Sequence, residues 1–333
     1  MKAQQVVFTG PRQVEVQARE VSTDDPGSTE LVIRSVASLI SQGTEGAAYQ
    51  GLLMPGGAEQ RYPGRPGYAN VGEVIATGAD TGFAEGDRVF SMAPHVSHAR
   101  LDVGRDLCVR VPEGLDPTLA VFARLAVVSL STWRTTAARL GDRAAVVGLG
   151  LVGNLAAQLG QIAGLEVTGI DLIPWRCELA RACGIRSVLE APEDDALQPD
   201  HALVIEATGT VGGAMSGVKL VQRHGELSLV GSQWGVGTHS VDTLRLLGEV
   251  FERYIHIRSG WEWQLPTLET TFGPSSLAHS AQAALGWIAD GRLVVEPMRS
   301  HVVSPADAGA TYEAMVTTKD AYLGVVFDWD QVA

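Results

Sequence analysis

Three cysteines in 333 residues are too few for a disulfide framework, and Cys108, Cys177 and Cys183 form no C-x-x-C pair. They read as small core or surface residues of a chain in a reducing compartment, which makes the cytoplasm the expected location. Lysine is as scarce. Lys2, Lys219 and Lys319 are the only ones, in a chain of net charge −13, so no basic stripe exists for a phosphate backbone and nucleic acid is excluded as a partner. No stretch of about twenty residues is free of polar interruption, which excludes a membrane-spanning helix, and the opening MKAQQVVF lacks the apolar centre of a signal peptide. Internal repeats and low-complexity segments are also absent. What remains, at 45% hydrophobic residues, is a globular chain able to build two cores, with a small molecule as the expected partner.

The most informative stretch runs from Ala144 to Arg176. Gly148-Leu149-Gly150-Leu151-Val152-Gly153 is a G-x-G-x-x-G, preceded by a short apolar run and followed by a helical pattern and a second apolar run that ends in Asp171. Glycines alone also occur in plain structural turns. Strand, glycines, helix, strand and an acid about twenty residues on together make the dinucleotide fingerprint. The first glycine permits the turn, the second admits a pyrophosphate and the third lets helix and strand pack closely, so that free N–H groups meet the anion. Along the helix, Asn154, Gln158 and Gln161 form a polar row beside an apolar stripe of Leu155, Leu159 and Ile162. A carboxylate at Asp171 accepts bonds from both ribose hydroxyls of NAD and repels the 2′-phosphate of NADP, so the expected cofactor is NAD. Arg176 is placed for the adenine or ribose, or is solvated surface.

Residues 1 to about 120 read as short strands between turns: Gln5 to Phe8, Val14 to Gln17, Glu30 to Ser38, Val71 to Thr77, Arg88 to Ser91 and Leu107 to Val111. A long Gly/Pro loop lies from Gly51 to Gly67. Leu119 to Arg139 reads as one long helix, after which strands and helices alternate to Arg258, the pattern of a doubly wound parallel sheet. A helix over Leu277 to Ala289 and a strand over Gly324 to Asp328 have no place in that sheet. The expected fold is therefore α/β: a Rossmann NAD-binding domain over 121–262, and a β-rich domain assembled from 1–120 and 263–333, with the active site between them.

The order of a β-rich domain, GDRV at Gly86 to Val89, a long helix, G-x-G-x-x-G, an acid, then EATG at Glu206 to Gly209 resembles the medium-chain dehydrogenase/reductase superfamily, the group of alcohol and sorbitol dehydrogenases, over essentially the whole chain. The resemblance implies a GroES-like catalytic domain and a homodimer or homotetramer. It also exposes a difference. Where zinc-containing members carry a Cys ligand, this chain has Gln42 in Gln42-Gly43-Thr44-Glu45; the G-H-E motif becomes Gly67-Tyr68-Ala69; the acid opening the long helix becomes about Ala123. Amide, phenol and methyl do not bind Zn²⁺, and the four-cysteine structural lobe is missing too. His95 and His98 lack a third ligand nearby and read as ordinary surface or pocket histidines. The first motif is most like the zinc-lacking, bacteriochlorophyllide dehydrogenase-like branch, and no metal site is expected.

Without zinc, side chains must steady the substrate oxygen and move its proton. The candidates occupy the vacated positions: Thr44 as a proton relay or a turn cap, Glu45 as a base or a structural ion pair, Tyr68 as a phenol donor or a packed aromatic. Trp133, Trp234, Trp261 and Trp263 are candidates to wall the cleft. By position in the family, Thr132, Thr208, Gly209, Val230, Gly231 and Ser232 face the nicotinamide half, joining Gly148, Gly150, Leu151, Val152, Gly153, Asp171 and Arg176 as cofactor residues. The expected activity is zinc-independent, NAD(H)-linked interconversion of a secondary alcohol and a ketone on a polyol, sugar or cyclitol-like metabolite. Reduction of a quinone or activated alkene, a redox-neutral epimerase or lyase cycle with tightly bound NAD, and a non-catalytic NAD-binding protein stand as the alternatives.

Overall fold

The structure is a computed structural model that describes residues 1–52, 58–190, 198–231, 240–271, 273, 275–318 and 321–331. The chain opens with a hairpin, β1 (Lys2–Gly10) and β2 (Gln13–Glu20), and continues through β3 (Glu30–Leu39), α1 (Gln42–Gln50), β4 (Asn70–Thr77), β5 (Arg88–Ser91), β6 (His98–Asp102) and β7 (Cys108–Arg110). Two helices follow, α2 (Pro117–Ala120) and α3 (Ala123–Thr135). The alternating region comprises β8 (Arg143–Val147), α4 (Leu151–Ile162), β9 (Glu166–Asp171), α5 (Pro174–Ala182), β10 (Ser187–Glu190), β11 (His201–Glu206), α6 (Val211–Leu220), β12 (Val221–Leu229), α7 (Ser240–Arg253) and β13 (His256–Ser259). Last come α8 (Leu277–Ala289), β14 (Arg299–Val303), α9 (Ala308–Thr317) and β15 (Gly324–Asp328).

Two larger sheets organise these elements. One is six-stranded, all parallel, in the order β10-β9-β8-β11-β12-β13, which is the doubly wound order 3-2-1-4-5-6 and reverses direction between β8 and β11. Ala144, Ala145 and Val146 are wholly buried, as a parallel strand covered by helices on both faces requires. The other sheet is seven-stranded. Its path is β14-β15-β3-β4-β5-β7, with β6 also on β3. β15 covers one half of the β3 edge, Val326 opposite Leu39, and β6 the other half, Leu31 opposite Leu101. The last strand of the chain thus completes the sheet begun by the first hundred residues.

Several elements differ from the sequence reading. The long helix breaks into α2 and α3, because the backbone tightens to i→i−3 bonds between them: Phe122 N–H to Leu119, Arg124 N–H to Val121 and Leu125 N–H to Phe122. It also ends at Thr135, where Thr136 turns extended and Glu226 accepts from the Thr136 hydroxyl and the Ala137 N–H. Helix α1 was missed, as were β6, β14 and α9. The Gly/Pro loop from Gly51 to Gly67 lies partly outside the described residues.

Of the amide row on α4, Asn154 and Gln158 are buried and Gln161 is half-buried. The Gln158 amide donates to Val294 O at 2.9 Å and to Asn154 Oδ1 at 2.8 Å, while its Oε1 accepts the Val294 N–H at 2.8 Å. One side chain thereby satisfies both backbone groups of Val294, in the segment after α8. Gln158→Ala strands those groups in the interior, and each buried unmet donor or acceptor costs about 1–3 kcal/mol. A drop of that size is expected from urea unfolding; an unchanged midpoint would show that water satisfies Val294 instead.

Candidate functional site

The cofactor side of the site begins where β8 ends. Gly148 has φ +92°, a left-handed conformation open to glycine at little cost, and a Cβ on Gly153 would lie 1.7 Å from the Gly148 carbonyl oxygen. Only glycine permits that approach. Gly150 caps α4 with no side chain, and a Cβ there would meet nothing within 4 Å. The N–H groups of Leu151, Val152 and Gly153, in the first turn, have no intrahelical acceptor. An open space faced by free N–H groups fits a pyrophosphate.

Asp171 stands at the end of β9, as expected, but its carboxylate already serves the loop. Oδ2 accepts the Leu149 N–H at 2.7 Å and Oδ1 accepts the Ile173 N–H at 2.9 Å, which leaves each oxygen a further lone pair for a ribose hydroxyl. Arg176 lies 3.9 Å from Asp171 with its guanidinium over the Trp175 ring. At the end of β11, Glu206 is buried. Its Oε1 accepts from the Thr208 N–H at 2.7 Å, the Gly209 N–H at 3.0 Å and the Thr208 hydroxyl, while Oε2 has no partner. Burial raises the Glu206 carboxyl above the usual range, against the pull of those bonds. Its backbone carbonyl accepts from the Val230 and Gly231 N–H groups, and a Cβ on Gly231 would come within 2.2 Å of Gly209 N. Thr208 and Gly209 are therefore drawn around the Glu206 carboxylate, and Val230 and Gly231 around its backbone carbonyl. Thr132 lies buried beside them, 3.2 Å from the Ser228 hydroxyl. Ser232 and Trp234 lie outside the described residues.

The other side of the site is built on α1, Tyr68 and the first turn of α3. Tyr68 donates its phenol proton to Ser41 Oγ and is also in hydrogen-bonding reach of Thr44, which is exposed. Burial pushes the phenol up, while the nearby charge of Arg124 draws it down. The Arg124 guanidinium lies over the Tyr68 ring at 4.8 Å and pairs with Glu262 at 2.7 Å. Glu262 opens the short helical turn after β13, two residues beyond Gly260, where a Cβ would meet Val230 and the Thr132 hydroxyl at 2.4 and 2.8 Å. Tyr68 and Arg124 thus sit beside the C-terminal ends of β12 and β13, where ligands bind in open α/β sheets. Neither Arg124 nor Glu262 was singled out from sequence.

Glu45 corrects the expectation of a base. It is 3% exposed, and protein donors hold both oxygens: the Ser41 N–H on Oε1 at 2.8 Å, and His95 Nε2 at 3.0 Å together with the Tyr312 hydroxyl on Oε2. His95 is likewise no surface or pocket residue. It is wholly buried, with Nδ1 2.8 Å from Ser38 Oγ, which accepts the Trp329 indole N–H at 2.9 Å. Indole only donates, so Ser38 has its own proton left for Nδ1, which leaves the His95 Nε2–H for Glu45. His98, by contrast, is half-buried and bonds to Ser97. Trp133 is a packing residue, the alternative to a cleft wall: its indole donates to Ala156 O and its ring fills the space above Gly160, between α3 and α4. Trp261 and Trp263 are exposed on either side of Glu262.

The metal positions offer no zinc set. The Gln42 amide donates to Tyr322 O, the Tyr68 phenol is committed to Ser41, Ala123 has no donor, and the nearest imidazole and carboxylate, His95 and Glu45, are spent on each other and on the core. Among the described residues no three His, Cys, Asp or Glu side chains gather as a metal cluster, and no helix is long and apolar enough to cross a membrane.

No family model matches the chain. Over 99% of its length, and 99% of the relative's, it is 29% identical to 2-desacetyl-2-hydroxyethyl bacteriochlorophyllide A dehydrogenase of Rhodobacter capsulatus. Among solved structures it resembles galactitol-1-phosphate dehydrogenase from Escherichia coli, with a TM-score of 0.80 at 16% identity, covering 98% of this chain and 99% of that one. Two others are a zinc-binding dehydrogenase from Sinorhizobium meliloti bound to NADP (TM-score 0.78, 16% identity) and an alcohol dehydrogenase from E. coli CFT073 complexed with NADH (0.74, 15%), each covering 98% of this chain and 99% of its own. With its Rossmann and GroES-like halves, the chain has the fold of the medium-chain dehydrogenase/reductases and is similar over its whole length to dehydrogenases, and it is an oxidoreductase.

Because Glu45 holds three buried donors, Glu45→Gln presents an N–H₂ to at least one of them. We expect a loss of about 2–3 kcal/mol of stability with kcat of the folded fraction at the wild-type level. Wild-type stability with a collapsed kcat would restore Glu45 as the base.

Proposed function

We propose that this protein is an NAD(H)-dependent, zinc-independent oxidoreductase that interconverts a secondary alcohol and a ketone on a polyol, sugar or cyclitol-like substrate. The observation that carries the proposal is a glycine cradle with Asp171 at the strand ends of the parallel sheet, together with Tyr68, bonded to Ser41 and in reach of Thr44, where the resemblance places metal ligands. The names of the relatives, a hydroxyethyl dehydrogenase and a sugar-phosphate alcohol dehydrogenase, support an alcohol substrate; both NADP and NADH are found in the neighbours, so the choice of NAD rests on Asp171.

When bound, the nicotinamide exchanges a hydride with the carbinol carbon. Leu151, Val152 and Gly153 N–H groups would hold the pyrophosphate and Asp171 the adenosine ribose. On oxidation the substrate hydroxyl proton passes to the Tyr68 oxygen as the phenol proton moves to the Thr44 hydroxyl within its reach, and Thr44, which is exposed, gives up its own proton to solvent. The ion pair of Glu262 with Arg124 keeps a positive charge against the Tyr68 ring throughout.

The test is a screen of secondary alcohols and ketones with NAD(H) and NADP(H), in the presence and absence of a zinc chelator. Turnover that prefers NAD and survives the chelator is expected, and Tyr68→Phe should lower kcat about 10²–10⁴-fold, the range for a positioned proton-transfer group. Stoichiometric tightly bound zinc, or full activity in Tyr68→Phe, defeats the proposal. Cofactor choice has its own check. Asp171→Ser removes the charge facing a 2′-phosphate, and the ratio of kcat/KM for NADP over NAD should rise at least tenfold; a ratio that stays put would mean that Asp171 serves only the glycine loop.

A further inference from the structure

Among the described residues Arg124 is the largest fully buried side chain, at 2% exposure. A buried guanidinium ordinarily spends its donors on acceptors, because an unmet charged donor in the interior is among the costlier arrangements a fold tolerates. Here Nη2 has Glu262 at 2.7 Å, whereas Nε and Nη1 are both buried with no acceptor at all. The group is fixed by that pair and by the Tyr68 ring beneath it. It follows Ala123 immediately in sequence, the position corresponding to the acidic ligand of zinc-containing relatives, and it adjoins the C-terminal ends of β12 and β13 through Glu262 and Gly260.

We propose that Arg124 is a catalytic residue whose free Nε–H and Nη1–H donors bind the reacting oxygen of the substrate, so that a guanidinium carries the positive charge that a zinc ion carries in metal-containing relatives. The inference rests on the alcohol–ketone reading of the site. In the oxidation direction the carbinol C–H electron pair leaves as hydride to the oxidised nicotinamide, the O–H proton goes to the Tyr68 oxygen as the phenol's own proton passes to Thr44 and from there to solvent, and the C–O bond becomes a carbonyl. Negative charge gathers on that oxygen as the proton departs, and Arg124 is in place to meet it. In reduction the same donors polarise the carbonyl before hydride arrives. A fixed donor pair in a dry cleft needs no reorganisation at that moment, which is what makes such groups effective. The planar guanidinium also explains the identity of the residue: it stacks on Tyr68, pairs with Glu262 and retains two further donors, which the single ammonium of lysine does not reproduce.

The experiment begins with wild-type turnover of a ketone from the screen, so that failure of the alcohol–ketone reading is seen first and separately. Arg124→Gln is then compared with wild type for kcat, for NADH affinity by fluorescence and for the Tyr68 titration, read as the tyrosinate absorbance lost in Tyr68→Phe. The expected result is a kcat lower by about 10²–10³-fold, the loss typical of one such donor group, with NADH affinity retained and the Tyr68 phenol moved further up. Guanidinium added to Arg124→Ala is expected to restore part of kcat. Arg124→Lys, which keeps charge but not the donor geometry, is expected at least tenfold below wild type and carries the test should the neutral variants fold poorly. Wild-type kcat in Arg124→Gln or Arg124→Lys overturns the inference, as does a loss confined to NADH affinity; either result leaves the alcohol–ketone reading standing.

Discussion

The contact between Gly153 and the Gly148 carbonyl is the constraint from which the cofactor half follows. At 1.7 Å, a Cβ at residue 153 is impossible without moving α4 off β8. That approach lets the first turn of α4 aim its N–H groups over the end of the strand, and it brings Asp171 close enough to bond the Leu149 N–H. The carboxylate that was expected only to read a ribose therefore also closes the loop that holds the pyrophosphate. Glu206 repeats the device one strand away, gathering the Thr208–Gly209 turn with one oxygen and the start of the next loop through its backbone. Two buried acids at the tips of β9 and β11 organise the cleft floor on either side of the switch point, and each does so by accepting backbone N–H groups that loop geometry would otherwise leave unmet.

On the other side, the segment that carries the first of the positions compared with zinc ligands is tied down by hydrogen bonds. Gln42 ties α1 to Tyr322, Glu45 ties it to α9 through Tyr312 and to the segment before β6 through His95, and Ser38 ties β3 to Trp329. The residues around α1 and Tyr68 divide into two sets. Glu45, His95 and Ser38 hold the β-rich half together with their hydrogen-bonding groups engaged. Thr44 is exposed, and Arg124 keeps two buried donors without an acceptor.

Legibility in the sequence followed the range of the interactions. The glycine loop, Asp171 and the parallel sheet were readable because strand, turn and helix signals there are local and occur in a fixed order. Helix α1 was missed although Glu45 reaches back to the Ser41 N–H, a capping arrangement one residue longer than the usual box; the serine and glutamate were in view, but were weighed as motif remnants. His95 was misjudged because its partners, Ser38, Glu45 and Phe327, are distant in sequence, and a pair of histidines without a local third ligand says nothing about such a network. The polar row on α4 was legible as a row, but the partner of Gln158, Val294, is 136 residues away. Arg124 was passed over for a related reason: Phe-Ala-Arg-Leu-Ala was searched for a missing acid, and a cation was not considered there.

That oversight bears on how a metal site can be lost. Removing three ligands from a zinc centre removes a charge of +2 along with the ion, and any catalysis that relied on it has then to find another source of positive field. A lone arginine is attracted to any carboxylate in reach, and Glu45, on the far side of Tyr68, already holds three donors. Glu262 is the one that meets Arg124, and it takes a single nitrogen. The saturation of Glu45 by Tyr312, His95 and the Ser41 backbone therefore has an electrostatic consequence as well as a structural one, since an unsaturated acid at the end of α1 would compete for the guanidinium's remaining donors. The buried network and the free donors are two sides of the same arrangement.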